Sequence, residues 1–203
     1  MRAFIMTGIL TSICLSSGSA RADRLQQPGS FGLGVRTSGL QVAPEGSPDT
    51  TMQLQGGGFH VRYRWLPRWS FELSIEGLHG EAKNESFTRE SLPVTVSAAY
   101  HVTPYGPLDL YLLFGLGGTQ DEVTYKKADG TLATESFQED HVHLGVGAEW
   151  HFGRWGVNAE LRGVGLTRSD TAMDGARYAG LASGPVPKDS SGAQGNLGLT
   201  YYF

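Results

Sequence analysis

Histidine and its neighbours carry most of the chemistry that this chain could perform. His141, His143 and His151 stand at even spacing with Glu149 in the stretch HVHLGVGAEWH, so an extended backbone puts all four on one face. Two imidazoles two residues apart on a strand can reach one metal ion. His60 and His101 fall in the same inward phase of their own segments. A second possible chemistry is nucleophilic: His143 or His101 with Ser97 and Glu149 has the composition of a serine, histidine and acid relay. Neither set is completed by spacing. No second pair of ligands is fixed, and no G-x-S-x-G turn accompanies the serine. Polar side chains that fill an interior by hydrogen bonding need the same residues, so the expectation is no metal site, no cofactor and no catalytic residue.

Charges of both signs share that inward phase: Arg36, Arg62, Arg64 and Arg162 against Glu72, Glu76, Asp109, Glu149 and Glu160. If Trp65 and Trp69 face each other across a turn, counting back sets Arg62 opposite Glu72. Cross-strand ion pairs of this kind satisfy charge that would be costly alone.

The elements that must position these residues are strands. Eight segments alternate or are apolar enough to qualify, at roughly 30–39, 52–65, 69–78, 91–102, 108–118, 138–152, 155–166 and 192–203. The clearest sets Val142, Leu144, Val146, Ala148, Trp150 and Phe152 against the polar His and Glu face. Apolar residues change phase around Gly56–Gly58 and near Gly163, which predicts bulges there. Asp129-Gly130 is a favoured two-residue hairpin signal, so strands five and six are expected to continue as a ribbon.

Connections alternate strictly in length. Leu66-Pro67-Arg68, Thr103 to Pro107 and Gly153-Arg154 are short, whereas about 40–51, 79–90, 119–137 and 167–191 are long and polar. A soluble sandwich has no reason to sort its loops in this way. All four tryptophans flank two of the short turns. Trp65, Trp69, Trp150 and Trp155, with Tyr105, Tyr201 and Phe203, would form an aromatic girdle at one interface of a bilayer. The alternative is a set of rings plugging the end of a soluble core, which the outward phase of most of them opposes.

The two ends of the chain agree with export. Met1-Arg2, the apolar run from Ala3 to Leu15 and Ala20-Arg21-Ala22 read as a secretory signal peptide over residues 1–22, with cleavage after Ala22 or Ala20. The single Cys14 lies inside it, with Ile13 where a lipoprotein signal needs a small residue. Cleavage turns 16 basic against 20 acidic residues into 14 against 20, moving the net charge from −4 to −6. An acidic chain without a basic stripe is a poor nucleic-acid binder. Glycine, at 29 of 203 residues, is about twice its usual share, and inward glycines suit a narrow, curved barrel. From Ala193 to Phe203 small or apolar residues alternate with polar ones up to a terminal aromatic.

Signal, eight alternating strands, sorted loops, girdle and Phe203 together resemble the small outer-membrane β-barrel family that includes the outer membrane protein A transmembrane domain and the opacity-type proteins. The resemblance implies an all-β, eight-stranded antiparallel up-and-down transmembrane barrel over residues 23–203. It implies a place in the bacterial outer membrane, periplasmic termini, extracellular long loops, lipid and lipopolysaccharide as surroundings, and a closing strand read by the barrel-assembly machinery. The expected role is non-enzymatic surface contact through four loops, with the loop ligand unassigned. A narrow channel for small solutes and a lipid A-modifying hydrolase are the alternatives. An eight-stranded barrel has an interior just wide enough for side chains.

Overall fold

The computed structural model describes residues 29–44, 51–81, 87–126, 129–168 and 189–203. The expected leader, most of the last long connection, and the acidic loop residues Glu45 and Asp49 lie outside them. Eight strands follow in order: β1 (Phe31–Pro44), β2 (Met52–Leu66), β3 (Trp69–Glu81), β4 (Phe87–His101), β5 (Leu108–Lys126), β6 (Leu132–Phe152), β7 (Trp155–Arg168) and β8 (Asp189–Tyr202). Each pairs antiparallel with the next, and β8 returns to β1, from Gly32 opposite Tyr202 to Pro44 opposite Ser190. Closure leaves no sheet edge along that seam. The last amide completes it, with Phe203 N donating to Phe31 O at 2.9 Å.

The short connections are tight for local reasons. Gly153 adopts φ +64° in the two-residue turn between β6 and β7, a conformation that favours glycine. At the opposite end Gly130, at φ +84°, closes the β5–β6 ribbon, where the Asp129 carboxylate accepts from the Thr131 amide at 2.9 Å. These two strands run well beyond the lengths expected from alternation alone.

One belt of the outer wall is apolar. Leu33 and Val35 on β1, Phe71, Leu73 and Ile75 on β3, Val94 and Val96 on β4, and Leu197 and Leu199 on β8 are all exposed. The belt runs from Leu108 to Leu116 on β5 and from Val142 to Phe152 on β6. These match the roughly 9–11 residues a tilted strand needs to cross a bilayer.

Toward the long connections the polarity of the two faces reverses. Outward positions become polar, as at Gln120, Glu122, Gln138 and Asp140. Inward positions on six strands become apolar: Val42, Val164 and Leu166 form one cluster, Met52, Leu54 and Leu78 a second, and Val123, Tyr125 and Phe137 a third. Leu40 packs against the first two. Past the bilayer the outside meets water, so burial favours apolar side chains inside.

This reversal corrects the expected bulges. Pairing passes through Gly56, Gly57 and Gly58 and through Gly163 with no shift of register. The apolar residues change phase there because lipid gives way to water outside, while the backbone keeps its alternation. The register shift on β2 lies between Arg64 and Leu66, beside the short turn.

Candidate functional site

Alternation sends every second residue of the belt into the lumen, and those residues form a dense polar plug. Arg62 lies directly opposite Glu72. Its guanidinium donates to Glu72 Oε2 at 2.6 and 3.1 Å, to Glu149 Oε2 at 2.7 Å and to Glu160 Oε1 at 3.2 Å. Arg36 donates to Glu72 Oε1 and lies 3.5 Å from Glu160 and 3.7 Å from Glu76. Arg162 donates to Glu160 Oε2 and to Glu72 Oε1, the latter at 3.4 Å. Three guanidinium groups and three carboxylates thus interlock across the lumen, with Glu76 on their rim. The side chains of these seven residues are at most 6% exposed. At such burial each charge is tolerable only because several partners reach it.

Neutral donors complete the plug, and these the charge pattern alone did not single out. Tyr111 donates to Glu160 Oε1 at 2.8 Å and Tyr202 to Glu149 Oε1 at 2.8 Å. Gln194 and Asn196 donate to Glu76 and Glu160. The inward phase of Tyr111, shared with Asp109, was the available signal; a tyrosine in a barrel also suits the bilayer interface, which masked it.

Glycines make the room. Gly34, Gly115, Gly117, Gly147 and Gly198 lie directly opposite His60, His143, His141, Tyr111 and Asn158. A Cβ on any of these five glycines would overlap that facing side chain. The high glycine content therefore has a specific geometric use: these five large lumen side chains each lie across from a residue that has none.

Nearer the short turns a second group contains Arg64, Asp109, His101 and Ser70. Arg64 donates to Asp109 Oδ2 at 2.8 Å and to Pro67 O at 3.1 Å. His101 Nδ1 meets Asp109 Oδ2 at 2.7 Å, and its Nε2 meets the Ser70 hydroxyl at 2.7 Å. Serine, histidine and aspartate are thus in relay order, but with different members from those expected. Ser97 lies 3.2 Å from His143 Nε2, while Glu149 is held by Arg62 and Tyr202. The set of His143 or His101 with Ser97 and Glu149 is not brought together. Ser70 is 1% exposed and His101 and Asp109 are fully buried.

The remaining histidines disperse around the wall. The His141 and His143 rings are 6.2 Å apart and bond to Thr95 and Ser97. His151 lies beside Tyr202, and His60 bonds to Thr200 at 2.8 Å. Among the described residues no group of three or more His, Cys, Asp and Glu converges as metal ligands would.

Above the plug an interior cavity of about 20 Å³ lies between Leu40, Leu78, Thr119, His141, Val164 and Gln194. It has room for about one water. Beyond the belt Arg89 bridges Asp121 at 2.8 Å and Glu139 at 2.6 Å, and the guanidinium groups of Arg89 and Arg168 lie 5.2 and 4.6 Å from the centre of the Phe137 ring.

Aromatic rings gather at the short-turn end. Trp65, Tyr105, Trp150, Trp155 and Phe203 are exposed there, while Trp69 and Tyr201 are half-buried. Phe203 lies 6.0 Å from Phe31 and 5.3 Å from Tyr201, so the seam of the barrel is covered by rings.

A closed eight-stranded up-and-down barrel with an apolar outer belt and a filled polar lumen defines the class of small outer-membrane barrels. The sequence matches the outer membrane protein beta-barrel domain over residues 10–203, and the chain belongs to that family. Membership indicates the bacterial outer membrane. Among solved structures, the attachment invasion locus protein Ail of Yersinia pestis superposes with a TM-score of 0.56 at 14% identity, covering 87% of this chain and 100% of that one. Neisserial surface protein A gives 0.55 at 13% identity, covering 86% and 99%. A major outer membrane protein of Thermus thermophilus gives 0.50 at 11%, covering 85% and 99%. At these identities the likeness is one of fold. No curated protein matches the sequence.

Proposed function

We propose that the chain is a non-conducting, non-enzymatic barrel that holds its long connections and the β5–β6 ribbon at the cell surface for contact with a partner. In this reading residues 1–22 are removed on export, the short turns and both ends of the mature barrel face the periplasm, and the closing strand to Phe203 is read during assembly. Lipopolysaccharide surrounds the outer half of the belt.

The observation that carries the reading is the lumen. Arg36, Arg62 and Arg162 interlock with Glu72, Glu149 and Glu160 across its width, and apolar clusters fill the projecting part above. Such an interior offers rigidity and no path, which suits a scaffold. Single-channel recording in planar bilayers tests this directly. Negligible current is expected, and a steady open-state conductance would instead favour the channel reading.

The printed names of the similar proteins, a surface protein and an attachment protein, accord with contact at the surface. Ail has been crystallised with the heparin analogue sucrose octasulfate. Among the described residues the exposed wall beyond the belt carries Glu81, Glu90, Glu122, Asp140 and Asp189, with Lys126 opposing them. A polysulfate would be repelled by this described part of the surface, which favours a less anionic partner there.

The hydrolase reading retains one supporting observation, the order Ser70, His101 and Asp109. Against it stand the burial of the Ser70 hydroxyl and the Arg64 bond to Asp109, which serves to neutralise a buried acid.

A further inference from the structure

The same three-residue arrangement occurs twice at the short-turn end. In the turn before β3, Arg68 precedes Trp69, and Trp69 lies directly across from Tyr100 on β4. In the turn before β7, Arg154 precedes Trp155, which lies directly across from Tyr201 on β8. Arg68 donates to the Tyr100 hydroxyl at 3.3 Å and Arg154 to the Tyr201 hydroxyl at 3.2 Å. Each indole meets the same tyrosine edge-on, at 5.2 Å and 64° and at 5.0 Å and 67°. Two separate pairs of strands therefore build one geometry.

That geometry places a charge where the bilayer interface falls. Arg68 and Arg154 are the only charged residues in the three short turns, and both are exposed. Among the described residues the opposite end of the wall is mainly acidic. A guanidinium spends one N–H on the tyrosine and keeps the rest of its fork, the shape that matches a phosphate. The tyrosine oxygen, having accepted from arginine, still has its own proton to donate.

A shallow groove of about 560 Å³ adjoins the first of the two: its lining includes Val102, two residues from Tyr100, and Leu112, which lies directly across from Tyr100. It runs over Ala148 and Ala159 on the outer wall, beside Leu110 and Leu161. Small residues on β6 and β7 create it. Ala159 lies four positions along β7 from the short turn at Trp155, about 13 Å at the usual strand rise. A lipid held by its headgroup at Arg68 has its acyl chain beside this groove.

We propose that the Arg68, Trp69, Tyr100 cluster and the Arg154, Trp155, Tyr201 cluster are two headgroup seats for an anionic glycerophospholipid of the inner leaflet, the first extended by an acyl-chain groove. Arginine and the tyrosine hydroxyl hold the phosphodiester, and tryptophan covers the glycerol region. The inference rests on the proposed orientation, with short turns in the periplasm, for the choice of phospholipid over lipopolysaccharide.

Native mass spectrometry of the refolded barrel titrated with phosphatidylglycerol tests the seats. Wild type is expected to retain two lipids, Arg68→Gln one, Arg154→Gln one, and the double variant none. The lipid left in Arg154→Gln is the harder to strip, because its chain is also held. Lys126→Gln, a charge change at the far end, keeps two. Heat-dependent gel mobility establishes that each variant is folded. A folded double variant that still retains two lipids overturns the proposal, as does equal retention of phosphatidylcholine by wild type and double variant alike. Orientation is read separately: Tyr105→Cys in intact cells should resist a membrane-impermeant maleimide. Labelling from outside overturns the leaflet assignment and the periplasmic turns together, while the lipid counts judge the seats themselves.

Discussion

Replacing Glu72 by glutamine removes the centre of the lumen plug without changing its shape. Glu72 accepts two bonds from Arg62, at 2.6 and 3.1 Å, one from Arg36 and one from Arg162 at 3.4 Å. Around it three arginines face three carboxylates; after Glu72→Gln three face two, and a glutamine amide points its own donors at a guanidinium. No cavity forms, so the cost is electrostatic. Removing one partner of a buried ion pair costs about 3–5 kcal/mol. That is roughly two to four orders of magnitude in the folding equilibrium. Urea titrations of refolding into lipid vesicles, followed by tryptophan fluorescence and gel mobility, measure it. The companion variant Arg62→Met with Glu72→Leu leaves two arginines against Glu149 and Glu160, and should regain most of the loss. A Glu72→Gln barrel within about 1 kcal/mol of wild type, the scale of a solvated pair, would refute the account of the plug. So would a double variant less stable than the two single changes added together.

The belt boundary gives a paired test: Leu112→Arg, on the outward face in mid-belt, should destabilise by about 2–4 kcal/mol, whereas Gln120→Arg, outward but beyond the belt, should stay within about 0.5 kcal/mol in the same titration. The glycine rule predicts that Gly147→Ala displaces the Tyr111 ring and costs about 1–3 kcal/mol. Gly163→Ala faces outward with nothing nearer its Cβ than 3.8 Å, and should leave the urea midpoint unchanged. A fluorophosphonate probe should leave the folded barrel unlabelled, because Ser70 is buried; labelling lost in Ser70→Ala would restore the hydrolase reading.

Much of the fold was legible because a strand in a membrane writes its environment into every second residue. The three short turns fall where Pro67, the Tyr105-Gly106-Pro107 run and Gly153 placed them. Arg62 lies opposite Glu72 as counted, although Trp69 pairs with Leu66 and not with Trp65; the register shift between Arg64 and Leu66 restores the expected pairing beyond the turn. The apparent bulges at Gly56–Gly58 and Gly163 misled because a change of apolar phase has two causes, an inserted residue or a change of surroundings. A single strand cannot tell them apart. Six strands that turn apolar side chains inward beyond the same belt do.

The lumen was legible as a list of inward charges and not as a network. Which carboxylate meets which arginine depends on residues as far apart as Arg62 and Glu149, or Arg36 and Glu160, on strands that are not neighbours. The serine beside His101 was missed for the same reason. Ser70 and Ser97 share the inward phase, and only the stagger of β3 against β4 brings Ser70 within 2.7 Å of His101 Nε2.

By itself the sequence determined the class of fold, the number of strands, which face of each meets lipid, and which residues point inward. Those properties are local, set by a period of two and by turns a few residues long. Tertiary structure alone decided how the lumen is wired, that its glycines stand opposite its largest side chains, and that two Arg-Trp-Tyr clusters repeat at one end. These depend on register and on closure of β8 against β1, which join residues remote in the chain and leave no trace in the spacing of any one segment.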